Sequence, residues 1–114
     1  MLQSFLNKLK KTPNEVEFQE VISLIEEHYT FTPTEFQNGD VKNEVGQNSG
    51  SCKIFAFGLL NKLSKEDTLA CFGDFYRKDV LENPDGDDHQ NIRNFINYGW
   101  GGVKFKGEAL ALKA

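Results

Sequence analysis

Two cysteines, Cys52 and Cys71, are all that this chain carries. Two thiols make no disulfide framework, so a reducing compartment is the simpler setting. No run of apolar residues approaches the eighteen or so that a membrane-crossing helix requires. The first residues lack the continuous apolar core and small-residue cleavage site of a secretory signal. Positive charge is in deficit: thirteen Lys and Arg stand against seventeen Asp and Glu, a formal net charge of −4. Duplex nucleic acid and anionic lipid surfaces both call for the opposite sign, which excludes them as expected partners.

What is abundant is phenylalanine, ten residues in 114. Large rings at this density argue for one folded domain over the whole chain, 1–114, with a core that needs neither metal nor disulfide. Leu2, Phe5, Leu6 and Leu9 recur at helical spacing. Thr12-Pro13-Asn14-Glu15 has the form of a capping box with proline at the first helical position. It precedes the stripe Phe18, Val21, Ile22, Ile25 and Tyr29. Thr32-Pro33-Thr34-Glu35 repeats that pattern, but Asn38-Gly39 follows so soon that only a short turn or a brief extended piece fits.

The polar stretch 38–50 then runs directly into Ile54-Phe55-Ala56-Phe57. Ser49 or Ser51 is positioned to cap a helix reaching about Lys62, apolar on nearly every face and therefore central. Ser64 opens a further helix with Leu69, Phe72, Tyr76 and Val80 on one stripe. Asn83-Pro84-Asp85-Gly86 stops it. Asp87 or Asp88 is placed to cap a last helix bearing Ile92, Phe95 and Ile96, with Gly99 past its end. Residues 100–107 alternate apolar and polar, which suggests a short strand or hairpin pairing near Thr34–Gln37. The fold expected is mainly α: a compact orthogonal bundle of five or six helices with a short extended or hairpin element near the C-terminus.

Three segments carry a family resemblance: Gly46 to Phe57, with GSCKIFAF at its heart; Leu69-Ala-Cys-Phe-Gly73 with Tyr76-Arg77; and Asn83-Pro-Asp-Gly86 with Asp88-His89, Asn91-Ile-Arg-Asn-Phe95, Gly99-Trp100, Gly102, Phe105 and Gly107. Together they resemble the HopJ type III effector family over about Tyr29 to Leu110. The resemblance implies a small bacterial protein, cytoplasmic and open to export into a host cell, with no chemistry attached to the family name. The well-patterned helix at residues 2–9 departs from the flexible, serine-rich start that such export favours.

Candidate chemistry gathers at two helix starts. Cys52 lies on the first turn of a helix beside Lys53, where a thiolate is favoured. His89 is a candidate base, with Asp87, Asp88 or Asn91 to orient it. Gly46 to Lys53 has a phosphate loop's glycines and lysine at the wrong spacing, which leaves anion capture at a helix start. Asp85-Gly86-Asp87-Asp88 lacks the calcium-loop pattern. His28, Cys52, Cys71 and His89 lack the short paired spacings of zinc ligands. No metal and no cofactor are expected.

If the two helix starts share one end of the domain, Asn48, Ser51, Lys53, Asp88, His89 and Arg93 line a polar pocket. Trp100, beside two glycines, is either an exposed contact or a core plug. The sequence reading favours a monomeric, non-catalytic interaction protein, not an enzyme, that meets a partner protein or a small ligand. The alternatives are an enzyme using Cys52 with His89, or an anion- or metabolite-binding module at Gly46–Lys53.

Overall fold

Leu2, Phe5, Leu6 and Leu9 fall on one side of α1 (Leu2–Lys11), and Phe5 and Leu9 are buried there. The computed structural model describes residues 2–113. It is mainly α, with five α-helices among those residues: α1, α2 (Phe18–His28), α3 (Ser49–Leu60), α4 (Lys65–Ala70) and α5 (Gln90–Tyr98). A π-helical segment, Phe75–Val80, follows α4. Among the described residues, no helix is long and apolar enough to cross a membrane.

Helix punctuation departs from the sequence expectation at four places. Thr12 opens only a 3-10 turn, Pro13–Glu15, and gives no side-chain cap. The capping box belongs instead to Glu17 and Glu20 at the start of α2. Neither Ser49 nor Ser51 caps α3; its N-cap is Asn48, in the left-handed region at φ 50°. Likewise α5 begins after His89 at φ 49°, not at Asp87 or Asp88, and has no side-chain cap. By contrast, Ser64 Oγ accepts from the Asp67 amide at 3.1 Å, as its sequence context implies.

The helix expected across residues 65–80 is interrupted at Gly73. Its φ is +62°, and a Cβ there would stand 2.6 Å from the Phe18 backbone nitrogen. Only glycine combines that backbone conformation with so close an approach. The chain restarts as the π-helical segment, which shifts the phase of Phe75, Tyr76 and Asp79.

Extended structure links distant parts of the chain. The strands are β1 (Tyr29–Phe31), β2 (Phe36–Asn38), β3 (Val41–Asn43), β4 (Val103–Phe105) and β5 (Leu110–Leu112). The C-terminal strands pair backwards rather than with each other. β4 lies antiparallel to β2, with Gln37 opposite Lys104, and β2 also pairs with β3. β5 lies antiparallel to β1, with Tyr29 opposite Leu112.

Phe55 of α3 is the hub of the core. Its ring centroid lies 4.9 Å from Phe95, 5.4 Å from Phe72, 6.0 Å from Phe36 and 6.3 Å from Trp100. Trp100 is a plug: it packs edge-on against Phe95 and donates its indole N–H to the Leu63 carbonyl at 2.9 Å. Gly58 makes room for that indole, because a Cβ would lie 2.9 Å from its ring carbons. The far end of α3 emerges from the core, and Leu59 and Leu60 are exposed.

Candidate functional site

The starts of α3 and α5 meet. Asn48, Gly50 and Ser51 from one, and His89, Gln90 and Asn91 from the other, line a single cavity of about 460 Å³. Phe18, Val41, Phe72, Phe75 and Ile92 complete its walls. That volume is in the range of small-molecule sites. Among the described residues, no Lys, Arg, Asp or Glu lines it.

Buried asparagines hold the two helix starts together. Asn43 Oδ1 accepts from Asn48 Nδ2 at 2.7 Å and from Asn91 Nδ2 at 2.9 Å. Asn43 Nδ2 donates back to Asn91 Oδ1 at 3.1 Å. Asn38 Nδ2 donates to the Asn91 carbonyl at 2.8 Å and to its side chain at 3.0 Å. Asn38 and Asn43 sit on the β2–β3 hairpin and are fully buried. This network leaves the first amides of α3 and α5 without side-chain caps. Uncapped helix starts present free N–H groups and a partial positive charge.

His89 borders the cavity with its side chain 29% exposed. Its Nε2 lies 3.1 Å from Asp79 Oδ2. A neutral imidazole donating from Nε2 to this carboxylate carries its lone pair on Nδ1, which has no hydrogen-bond partner among the described residues. The π-helical segment creates the pairing: Phe75 and Asp79, four apart, present one face to His89. The Phe75 and His89 ring centroids are 5.3 Å apart. Such segments recur at functional sites.

The remaining sequence candidates separate. Arg93 laces the preceding turn, donating to the carbonyls of Asn83 at 2.8 Å and Asp88 at 2.6 Å, and pairing with Asp88 Oδ1 at 2.6 Å. That hydrogen bond holds the Asp88 carboxyl below the usual carboxylate range. Lys53 turns to Glu26, 3.3 Å away, and lies 5.0 Å from the Phe31 ring. Neither Lys53, Asp88 nor Arg93 lines the cavity, and Trp100, partly buried, packs against the core instead. Among the described residues, no three His, Cys, Asp or Glu side chains gather to hold a metal ion.

Cys52 is 2% exposed and is not among the lining residues. Its Sγ is 3.7 Å from the Thr34 carbonyl. Burial raises the Cys52 thiol pKa more than that hydrogen bond and Lys53 lower it. Cys71 is buried still further, and burial, with Asp67 and Glu20 adding to it, pushes its thiol up to about 12.

Asp79 was not singled out in the sequence, where it reads as one more polar residue on a charged helix face. Asn38 and Asn43 had no signal beyond their place in a polar loop, since burial of an asparagine leaves no mark in one sequence.

A family model described as HopJ type III effector protein matches residues 2–110. A solved structure, described as the crystal structure of the unknown-function protein VPA0580, is 55% identical, with a TM-score of 0.98 over 99% of this chain and 94% of that one. No curated protein matches the chain. The chain belongs to the HopJ type III effector family.

These findings correct the non-catalytic reading of the sequence. A plain interaction surface has no need of a recessed cavity holding a carboxylate-oriented imidazole, and in this member of the family both are present. The expectation that the chain is not an enzyme falls with it.

Proposed function

We propose that this member of the HopJ family is an acid–base enzyme acting on a carbonyl carbon of a small substrate held in the α3–α5 cavity. The observation that carries the reading is the His89–Asp79 pair at 3.1 Å beside that cavity. Asp79 fixes the ring and its tautomer, and Nδ1 is the base. The proton of an attacking water passes to Nδ1 as the water oxygen bonds to the carbonyl carbon. The carbonyl electron pair moves onto oxygen, where the free amides at the two helix starts stabilise it. On collapse, the leaving group takes its proton from the imidazolium. The settings that membership of the family suggests are the bacterial cytoplasm and, on delivery, a host cell.

Hydrolysis of p-nitrophenyl acetate tests this. His89→Gln lowers kcat/KM by about 100-fold; an unchanged rate sinks the proposal. A thiol version of the same reading makes Cys52 the nucleophile, favoured by its place next to the lining residue Ser51. Cys52→Ala decides between them: a retained rate leaves water as the nucleophile, and a loss matching that of His89→Gln installs the thiol.

A further inference from the structure

The walls of the cavity restrict what enters it. We infer that its ligand is an uncharged planar ring bearing carbonyl oxygens, the chemical class of pyrimidine bases and cyclic imides. The inference rests on the α3–α5 cavity being the working site, and goes on to the kind of molecule it takes.

Charge is the first restriction. The cavity wall carries no formal charge apart from any proton on His89. An adjoining groove shares Phe18 and Phe75 with it and adds Glu17, Asp74 and Asp79. Asp88 is a further carboxylate, 3.8 Å from His89 Nε2. An anion approaching this mouth meets Glu17 and Asp79, and the cations nearby are already engaged: Arg77 and Lys78 by Asp74, Arg93 by Asp88, and Lys53 by Glu26. A cation meets two helix starts whose partial charge repels it, and no carboxylate inside to receive it. A neutral molecule avoids both penalties.

Shape is the second restriction. Phe18 and Phe75 stand edge to face at 5.0 Å and 77°. Phe75 is 41% exposed, although Phe36, Phe55, Phe57 and Phe95 are fully buried. An aromatic ring left in solvent at a cavity mouth offers its face to a flat partner.

Polarity is the third. Asn48, Ser51 and Gln90 bring amide and hydroxyl groups to the wall, next to the uncapped amides of both helices. Those amides are donors, and carbonyl oxygens on a neutral ring satisfy them. The same oxygens become the negative centre in the chemistry proposed for His89.

Titration calorimetry with uracil and with orotate, the same ring carrying a carboxylate, tests the inference on the full chain at pH 7. Uracil binds, orotate binds at least about tenfold more weakly, and Phe75→Ala weakens uracil by at least about tenfold with an unchanged melting temperature. Phe75→Leu, which keeps apolar bulk without a ring face, also weakens uracil. Orotate binding as tightly as uracil, no uracil binding up to about 10 mM, or full uracil affinity in both variants each overturns it. Uracil binding without His89-dependent ester hydrolysis sinks the catalytic proposal alone. His89-dependent hydrolysis without uracil binding sinks this inference alone.

Discussion

Asn43 and Asn91 exchange two side-chain hydrogen bonds, at 2.9 and 3.1 Å, although they lie on different elements and both are buried. Through this pair the β2–β3 hairpin is fastened to the start of α5. Through the bond from Asn48 it is fastened to the start of α3 as well. Buried amides left without partners are costly, at about 1–3 kcal/mol each. Asn43→Ala strands groups on Asn48 and Asn91 together, so urea unfolding should show a loss of about 3 kcal/mol. A loss under about 1 kcal/mol would mean that water takes over the role of the side chain.

Asp79→Asn keeps the size of the side chain and removes the carboxylate that holds Nε2–H of His89. In ester hydrolysis kcat should fall about tenfold or more, with KM little changed. A rise in KM at constant kcat would instead place Asp79 among substrate-binding groups.

Both thiols should resist iodoacetamide at neutral pH in the folded protein and react fully in urea, because burial keeps them protonated. The Cys71 shift also makes stability depend on pH. In the unfolded chain its thiol ionises near its ordinary value of 9.0, whereas in the folded chain it holds its proton until about 12. The folded state therefore binds more protons between those values, and stability falls as pH rises through that window. Below it the contribution is complete and constant. Cys71→Ala should flatten this alkaline slope in thermal melts taken across the window.

Gly73→Ala sets a side chain against the Phe18 backbone in a left-handed conformation. Strain of this kind costs about 1–3 kcal/mol, and chemical denaturation should show a loss of that size. The π-helical segment sits directly beyond Gly73, so ester hydrolysis should fall along with stability. Full activity in a destabilised variant would show that the His89–Asp79 alignment does not depend on this break.

Most of the helices were legible from 3.6-residue apolar stripes and α3 from an apolar run on nearly every face, and Ser64 capped as its context implied. The meeting of the two helix starts was legible too: Asn48, Ser51 and His89 reach one cavity. Lys53, Asp88 and Arg93 do not, because a long charged side chain follows whichever partner the fold brings near, and the reach of Lys53 to Glu26 and of Arg93 to the Asn83–Asp88 turn is not visible from spacing. Caps at Ser49 and Asp88 were misread for a related reason. Asn43 takes hold of Asn48 and Asn91 from a distant hairpin, and a tertiary bond of that kind outweighs a local preference. The interruption at Gly73 leaves no mark in the sequence spacing of Leu69, Phe72, Tyr76 and Val80, so periodicity alone passes over it.

The pairing of β4 with β2 and of β5 with β1 also sets an order of events during synthesis. Residues 36–43 supply the hairpin that unites the cavity, yet their partner strand emerges from the ribosome only when residues 103–105 are made. A nascent chain has its early helices well before it has a completed site. Closing so long a loop is slow next to forming local helices, so the recess takes its final shape only after residues 103–105 have joined β2.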